Sequence, residues 1–309
     1  WPTENAKLSS TNRSRTNPKR IIFAEADQID VLKAAQIVHE EGIGFPILLG
    51  NQEIIKELKE EIGFDTEVPV FDPKTKESEA KRLEYAKHFW ETRKRKGITL
   101  LDAEKWMRER NYFGLMMVNT GEADALVTGY SRSYPSTIKP VIQLIDKAPG
   151  VSKIATTNMM MTARGPIFLS DTAINPNPSA DDLARIALMT AKTVRMFGME
   201  PVIAMISYSN FGSSNNEGPN KVRQAVAYLH ENFPDLIVDG EIQTDFALNP
   251  EMLKSKFPFS KLVNKKVNTL IFPNLDAANI TYKLLKELNK AESIGPIILG
   301  LDKPVHVFQ

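Results

Sequence analysis

The sequence predicts an α/β protein built as two α/β/α lobes with mostly parallel sheets. Three observations carry this expectation. Short apolar β-runs alternate with helices of 3.6-residue periodicity, the order that builds a parallel sheet. That alternation restarts past Gly150. The chain has 309 residues, roughly twice the single-domain allowance of about 150.

The elements follow in order. Residues 1–17, WPTENAKLSSTNRSRTN, are polar and aperiodic and read as a linker or tail. Ile21, Ile22 and Phe23 form a first strand, and Glu25 and Asp27 lead into a helix with apolar Val31, Ala34, Ala35 and Val38. Gly42 is placed to cap that helix, and strand Pro46–Leu49 ends at Gly50. A charged helix is expected over Lys74–Lys96 and an amphipathic one over Leu100–Asn119. Strand Ala125–Val127 then opens into the polar loop TGYSRSYPST, residues 128–137.

Past Gly150, strands are expected at Ile154–Thr156, Ile167–Ser170, Val202–Ser207, Leu236–Val238 and Leu270–Phe272. The clearest helix is Asp181–Phe197: Leu183, Ile186, Ala187, Val194 and Phe197 share a face interrupted by Thr190. Ser179 is its expected N-cap and Gly198 its stop. A last strand, Ile297–Leu299, is expected to return to the first lobe. The domains then read as 1–17, 18–150 plus 297–309 (a discontinuous first lobe), and 151–296.

Composition excludes several functions. Lys plus Arg number 39 against 38 Asp plus Glu, a net charge of +1, which argues against nucleic acid as a partner. No apolar run has the length to cross a bilayer and no signal peptide is visible, which points to the cytoplasm. There is no Cys, which excludes disulfides and thiolate chemistry, and the four His residues are scattered, against a protein-built zinc site.

No Walker loop and no G-x-G-x-x-G opens a helix. Four polar segments instead stand at the carboxyl ends of strands, where open α/β sheets take ligands. They are Gly121–Pro140, Ser170–Pro178, Ser207–Ser214 and Phe272–Asn279. Together they favour a ligand cleft between the lobes. Ser207, Ser209 and Asn210 are its foremost contacts, and Lys139 supplies a cation beside the first loop. Asp171 and Asn175 either line the site or make Asx-Pro turns. Asp239 and Asp245 read as a carboxylate base or, in preference, as structural hydrogen-bond acceptors. Met159, Met160 and Met161 read as packing.

The segments GEADALVTG, DTAINPNPSADDLARIA, DLIVDGEIQTDFALNP, KFPFSKL, IFPNLD with NITYK, and IGPIILGLDKPV resemble the phosphate acetyl/butyryl transferase family over nearly the whole chain after residue 18. SYSNFGS, PNLDAANI and KPVHVFQ are most similar to the C-terminal domain of bacterial NADP-dependent malic enzymes. The resemblance implies an architecture like isocitrate/isopropylmalate dehydrogenase, with acetyl-CoA or coenzyme A as the ligand in the interlobe cleft. The implied contact set adds Thr128, Arg132, Ser136, Thr137, Arg93 and Asn274 to Ser207, Ser209, Asn210, Lys139 and Asn175. Arg93 matches a family Arg facing coenzyme A phosphates, against the alternative of a solvated charged face.

Two departures from the family pattern bear on activity. Active members follow K-P-V with D-L-S-R-G-x-S, whereas Lys303-Pro304-Val305 is followed by His306-Val307-Phe308-Gln309, which puts Gln309 at the Ser position. Lys139 stands where the family commonly has Arg, and Lys cannot reproduce a bidentate fork. No catalytic residue and no metal site is therefore assigned. The expected function is an acetyl-CoA-sensing regulatory and oligomerisation module of a malic enzyme, which decarboxylates malate oxidatively elsewhere in the parent chain. The alternative is an active phosphate acetyltransferase; a dehydrogenase comes third, for want of a dinucleotide fingerprint. The implied partners are the malic-enzyme domain of the same chain, which would hold NADP and a divalent metal, and a second copy in a homodimer or larger oligomer.

Overall fold

The computed structural model describes residues 11–12, 14–289 and 292–308. They fall into two compact units, Thr11–Pro149 with the segment from Leu301, and Gly150–Gly300.

In chain order the first unit runs β1 (Lys19–Phe23), α1 (Ile29–Glu40), β2 (Gly44–Leu49), α2 (Gln52–Ile62), β3 (Val70–Phe71), α3 (Glu79–Arg93), α4 (Leu100–Trp106), α5 (Arg110–Asn119), β4 (Ala125–Thr128) and α6 (Tyr134–Leu144). The second unit runs β5 (Ala155–Thr162), β6 (Gly165–Ser170), α7 (Ala180–Met196), β7 (Val202–Ile206), α8 (Glu217–Asn232), β8 (Ile237–Ile242), α9 (Thr244–Leu248), α10 (Pro250–Lys256), β9 (Thr269–Ile271), α11 (Leu275–Asn289) and β10 (Ser293–Leu299). The chain then re-enters the first unit as β11 (Val305–Val307). No helix among the described residues is long and apolar enough to cross a membrane.

The first unit's strands lie in the order β3-β2-β1-β4-β11, all parallel. The second unit's lie in the order β10-β5-β6-β9-β7-β8, parallel except that β5 runs antiparallel to both neighbours. Strand Ile297–Leu299 therefore does not return to the first lobe: it is part of β10, paired with β5, and β11 is the strand that returns. Sequence periodicity identifies Ile297–Leu299 as a strand but not the shorter Val-His-Val run of β11, and it carries no information on which neighbour a strand finds.

Local signals hold where they are short-range. Ser179 Oγ accepts the Asp182 N–H at 3.2 Å and the Asp182 carboxylate accepts the Ser179 N–H at 3.0 Å, a reciprocal cap on α7. Leu183, Ile186, Ala187 and Val194 bury that helix's apolar face. Thr190, the polar interruption, is fully buried and satisfied, 2.7 Å from the Ile186 carbonyl oxygen. Met159 and Met160, adjacent on β5, join two different apolar clusters because successive strand side chains face opposite ways.

Three boundaries differ from expectation. The charged helix starts at Glu79 rather than Lys74, because Asp72 organises a turn: its carbonyl accepts Ser78 Oγ at 2.8 Å and its carboxylate the Lys74 N–H at 2.8 Å. The helix expected over Leu100–Asn119 is two helices. Residues Asn111–Val118 of α5 are buried all round, so no single amphipathic stripe could run through both halves. Within the expected linker, residues 14–16 are helical and Arg15 donates to the Glu41 carbonyl at 2.8 Å. Residues 1–10 and 13 of that segment lie outside the described residues.

Arg20, on β1, grips Asp124 just before β4 with Nε at 3.1 Å and Nη2 at 2.8 Å, and its N–H adds a third bond at 2.8 Å. Hydrogen bonding to Arg20 holds the Asp124 carboxyl down at about 2. A depressed folded-state value means that the stabilisation is complete above the ordinary carboxylate range and is lost as pH falls toward 2. The pair is well exposed, so its worth is below about 1 kcal/mol. Asp124→Asn is expected to flatten that part of the acid limb of thermal stability, leaving stability near neutral pH lower by only this small amount; an acid limb identical to wild type would refute the assignment.

Candidate functional site

The candidate residues fall into one group on each unit. In the first unit they follow the exit of β4. Gly129 turns the chain with φ +96°, where a side chain would press on the Phe308 backbone at 3.0 Å. The loop beyond is held from below by Glu25, a buried carboxylate after β1, which accepts Ser131 Oγ at 2.6 Å and the Tyr130 N–H at 2.5 Å.

Several of the expected contacts here are engaged internally. Thr128 Oγ donates to buried Asn111 at 2.7 Å. Ser136 and Thr137 hydroxyls donate to the Ser133 carbonyl at 2.8 and 3.1 Å, tightening the first turn of α6. Arg132 pairs with Glu109 at 3.0 Å, while Lys139 stands exposed on α6. Arg93, at the end of α3, has a side chain only 16% exposed and lies 3.7 Å from Asp146. It is therefore not part of a solvated charged face. The expectation attached to Gln309 lies outside the described residues.

In the second unit, Asp171 is a hub rather than a surface turn residue. Its buried carboxylate accepts the N–H groups of Thr156 at 3.0 Å, Ala173 at 3.2 Å and Asn175 at 2.8 Å. Asn175 also donates its amide to the Ile154 carbonyl at 2.9 Å. The loops after β6 and β9 meet: the Leu275 N–H donates to the Pro176 carbonyl at 3.1 Å. Lys221 of α8 spans both, donating to Asn177 at 2.7 Å and to the Pro273 carbonyl at 3.0 Å, and burial pushes its ammonium below the ordinary value. Asn274 is exposed and caps α11, accepting the Ala277 N–H at 2.9 Å.

The Ser207–Ser214 loop leaves β7 over the end of β8. Asn210 and Gln243 exchange two hydrogen bonds of 2.7 and 2.8 Å. Ser207 and Ser209 are buried, and Ser209 Oγ donates to Glu241 at 2.9 Å. Tyr208 is the loop's exposed aromatic side chain; hydrogen bonds from Ser214 and Asn216 lower its phenol below the ordinary value. Asp239 and Asp245 do not form a carboxylate pair. Asp239 accepts Ser260 Oγ and the Lys261 N–H, both at 2.8 Å, whereas exposed Asp245 accepts its neighbour's N–H at 2.9 Å.

Sequence reasoning passed over Glu241, Lys221 and Arg223. The signal for the two cations was present: Lys-x-Arg sits near the start of a helix directly after a polar loop. Glu241 had none, since it is the residue skipped where the β7–β8 register shifts, Met205 pairing with Gly240 and Ile206 with Ile242. The arrangement as a whole offers hydroxyls, amides and cations suited to oxyanions.

The profile of the phosphate acetyl/butaryl transferase family matches residues 7–309. The phosphate acetyltransferase of Thermoanaerobacterium thermosaccharolyticum is 39% identical over 307 residues, spanning 96% of this chain and 92% of that protein. The NADP-dependent malic enzyme of Haemophilus influenzae is 36% identical over 298 residues, again 96% of this chain but 39% of that protein. Among solved structures, a phosphotransacetylase from Streptococcus pyogenes superposes with a TM-score of 0.90 at 34% identity, covering 99% of this chain and 92% of that one. The chain belongs to the phosphate acetyl/butaryl transferase family.

Proposed function

We propose that this chain transfers an acetyl group between acetyl phosphate and coenzyme A. The thiol sulfur forms a bond to the acetyl carbon, the carbon–oxygen bond to phosphate breaks, and phosphate leaves with the electron pair while the thiol proton goes to a base. The observation that carries this reading is the match to a phosphate acetyltransferase along 92% of that relative's own length. For that reason the transferase reading stands ahead of the regulatory one that the sequence favoured. The cations Lys139, exposed on α6, and Arg132, just before it, suit the oxygens of a phosphoryl group.

A second reading rests on the malic-enzyme match across 96% of this chain. In it the domain binds acetyl-CoA without turning it over and biases a fused malic-enzyme domain, acting also in oligomerisation. One experiment separates the two. The protein is given acetyl phosphate and coenzyme A, and thioester formation is followed by absorbance. Sustained turnover is expected, and Lys139→Ala should raise the KM for acetyl phosphate about tenfold with kcat nearly unchanged, the signature of lost uniform binding. No thioester, together with acetyl-CoA binding measured by calorimetry, would overturn the transferase reading.

A further inference from the structure

The Ser207–Ser214 loop is moulded around a negative charge that belongs to the protein itself. Phe211 and Gly212 take consecutive left-handed conformations, φ +44° and +94°. This turns successive N–H groups toward Glu241: Phe211 donates to its carbonyl and Gly212 to its Oε1, each at 2.8 Å. Ser209 Oγ adds a third bond at 2.9 Å. The Glu241 side chain is 0% exposed, and its Oε2 makes no hydrogen bond.

Facing that oxygen is Arg223. Its Nε lies 3.3 Å from Glu241 Oε2, yet off line for a hydrogen bond. Its Nη2 is committed to the Ser214 carbonyl and to Asn220, both at 2.8 Å. Its Nη1 lies beside Gly212, where a Cβ would stand 3.0 Å away, and among the described residues no acceptor takes it. The side chain is 36% exposed.

We propose that Arg223 Nη1 binds an oxyanion oxygen of the ligand, and that Glu241 is the positioning residue that aims it. A buried carboxylate is expensive to desolvate, and an apolar side chain would fill the same space at less cost. What the charge adds is direction: it fixes one edge of a guanidinium and leaves the opposite nitrogen with both donors unspent. One nitrogen takes one oxygen, which suits a phosphate whose other oxygens remain open to further contacts. A carboxylate could supply the same oxygen. The choice of phosphate rests on the proposed transferase reading; the donor geometry does not.

The test is calorimetric titration of the intact protein with inorganic phosphate at constant ionic strength, with acetate in parallel. Phosphate is expected to bind, and Arg223→Met to weaken it tenfold or more, with Arg223→Lys recovering only part. Glu241→Gln keeps the side chain's size and should weaken phosphate comparably although Arg223 is intact. A cooperative unliganded melting transition establishes that the Arg223 variants fold, with the midpoint lowered in Arg223→Met because the buried Glu241 carboxylate loses its facing cation. Unchanged phosphate affinity in Arg223→Met, or no phosphate binding by wild type, would each overturn the proposal, and acetate binding as tightly as phosphate would overturn phosphate as its ligand. Thioester formation measured on the same samples keeps the two questions apart. Turnover with unaltered phosphate affinity removes the Arg223 assignment alone, and phosphate binding lost in Arg223→Met without any turnover removes the transferase reading alone.

Discussion

Asp171→Ala is expected to lower the stability of the second unit by about 4 kcal/mol, read as a fall in the urea midpoint at unchanged slope. The carboxylate is 3% exposed and gathers donors from two stretches of chain, Thr156 on β5 and Ala173 to Asn175 in the loop after β6. Alanine removes the acceptor and leaves those N–H groups facing a void. At least two of them, Thr156 and Asn175, lose short bonds of 3.0 and 2.8 Å, and each stranded donor costs about 1–3 kcal/mol. Asp171→Asn should fall between, since its amide retains one accepting oxygen but turns a donor toward other donors. The sequence left Asp171 open between a ligand contact and a turn residue. A loss under about 1 kcal/mol for the alanine variant would return it to the ligand-contact reading.

The same residue shows how far the sequence reaches. A strand ending in Ser-Asp-Thr, followed by Asn-Pro-Asn-Pro, announces a structured loop, because Asx and Pro act over three or four residues. The Ser179–Asp182 cap and buried Thr190 are legible for the same reason: each is satisfied within one helical turn. What escaped depends on distant partners. Arg110 reaches from the start of α5 to grip Asp27, 83 positions away, with bonds of 2.6 and 3.1 Å, and no periodicity reports that. Asp239 reads as a carboxylate of uncertain use until Ser260 and Lys261 close on it. Ile297–Leu299 is a short apolar run and Val305–Val307 a Val-His-Val run after a turn, and only the finished sheets assign each its neighbours. The candidate site follows the same rule. Its loops could be placed at strand ends from the sequence, and the Lys-x-Arg of α8 beside one of them, whereas Glu241, which acts on that loop from β8, could not.

Gly240→Ala should be the most damaging single substitution around that loop, costing about 3 kcal/mol or more and abolishing phosphate binding together with stability. A Cβ at this position would stand 2.5 Å from the Met205 carbonyl oxygen and 2.9 Å from Met205 Cβ. The first of these is backbone inside β7, so it cannot swing aside as a flexible side chain would. The glycine also has φ +148°, a conformation L-residues rarely adopt. Both constraints arise where the β7–β8 register shifts, and the shift is what carries Glu241 beneath Gly212. Relieving the clash therefore means separating the strands or flattening the shift, and either displaces the carboxylate that orders Phe211, Gly212 and Arg223. Gly218→Ala supplies the control. It lies in α8, and a methyl group added there would meet nothing within 4 Å, so the change should be neutral or stabilising by up to about 1 kcal/mol. Measured by unfolding midpoint and by phosphate titration, Gly240→Ala should fall on both axes and Gly218→Ala on neither. A Gly240→Ala protein with wild-type stability and wild-type phosphate affinity would mean that close strand approach does not hold Glu241 in place.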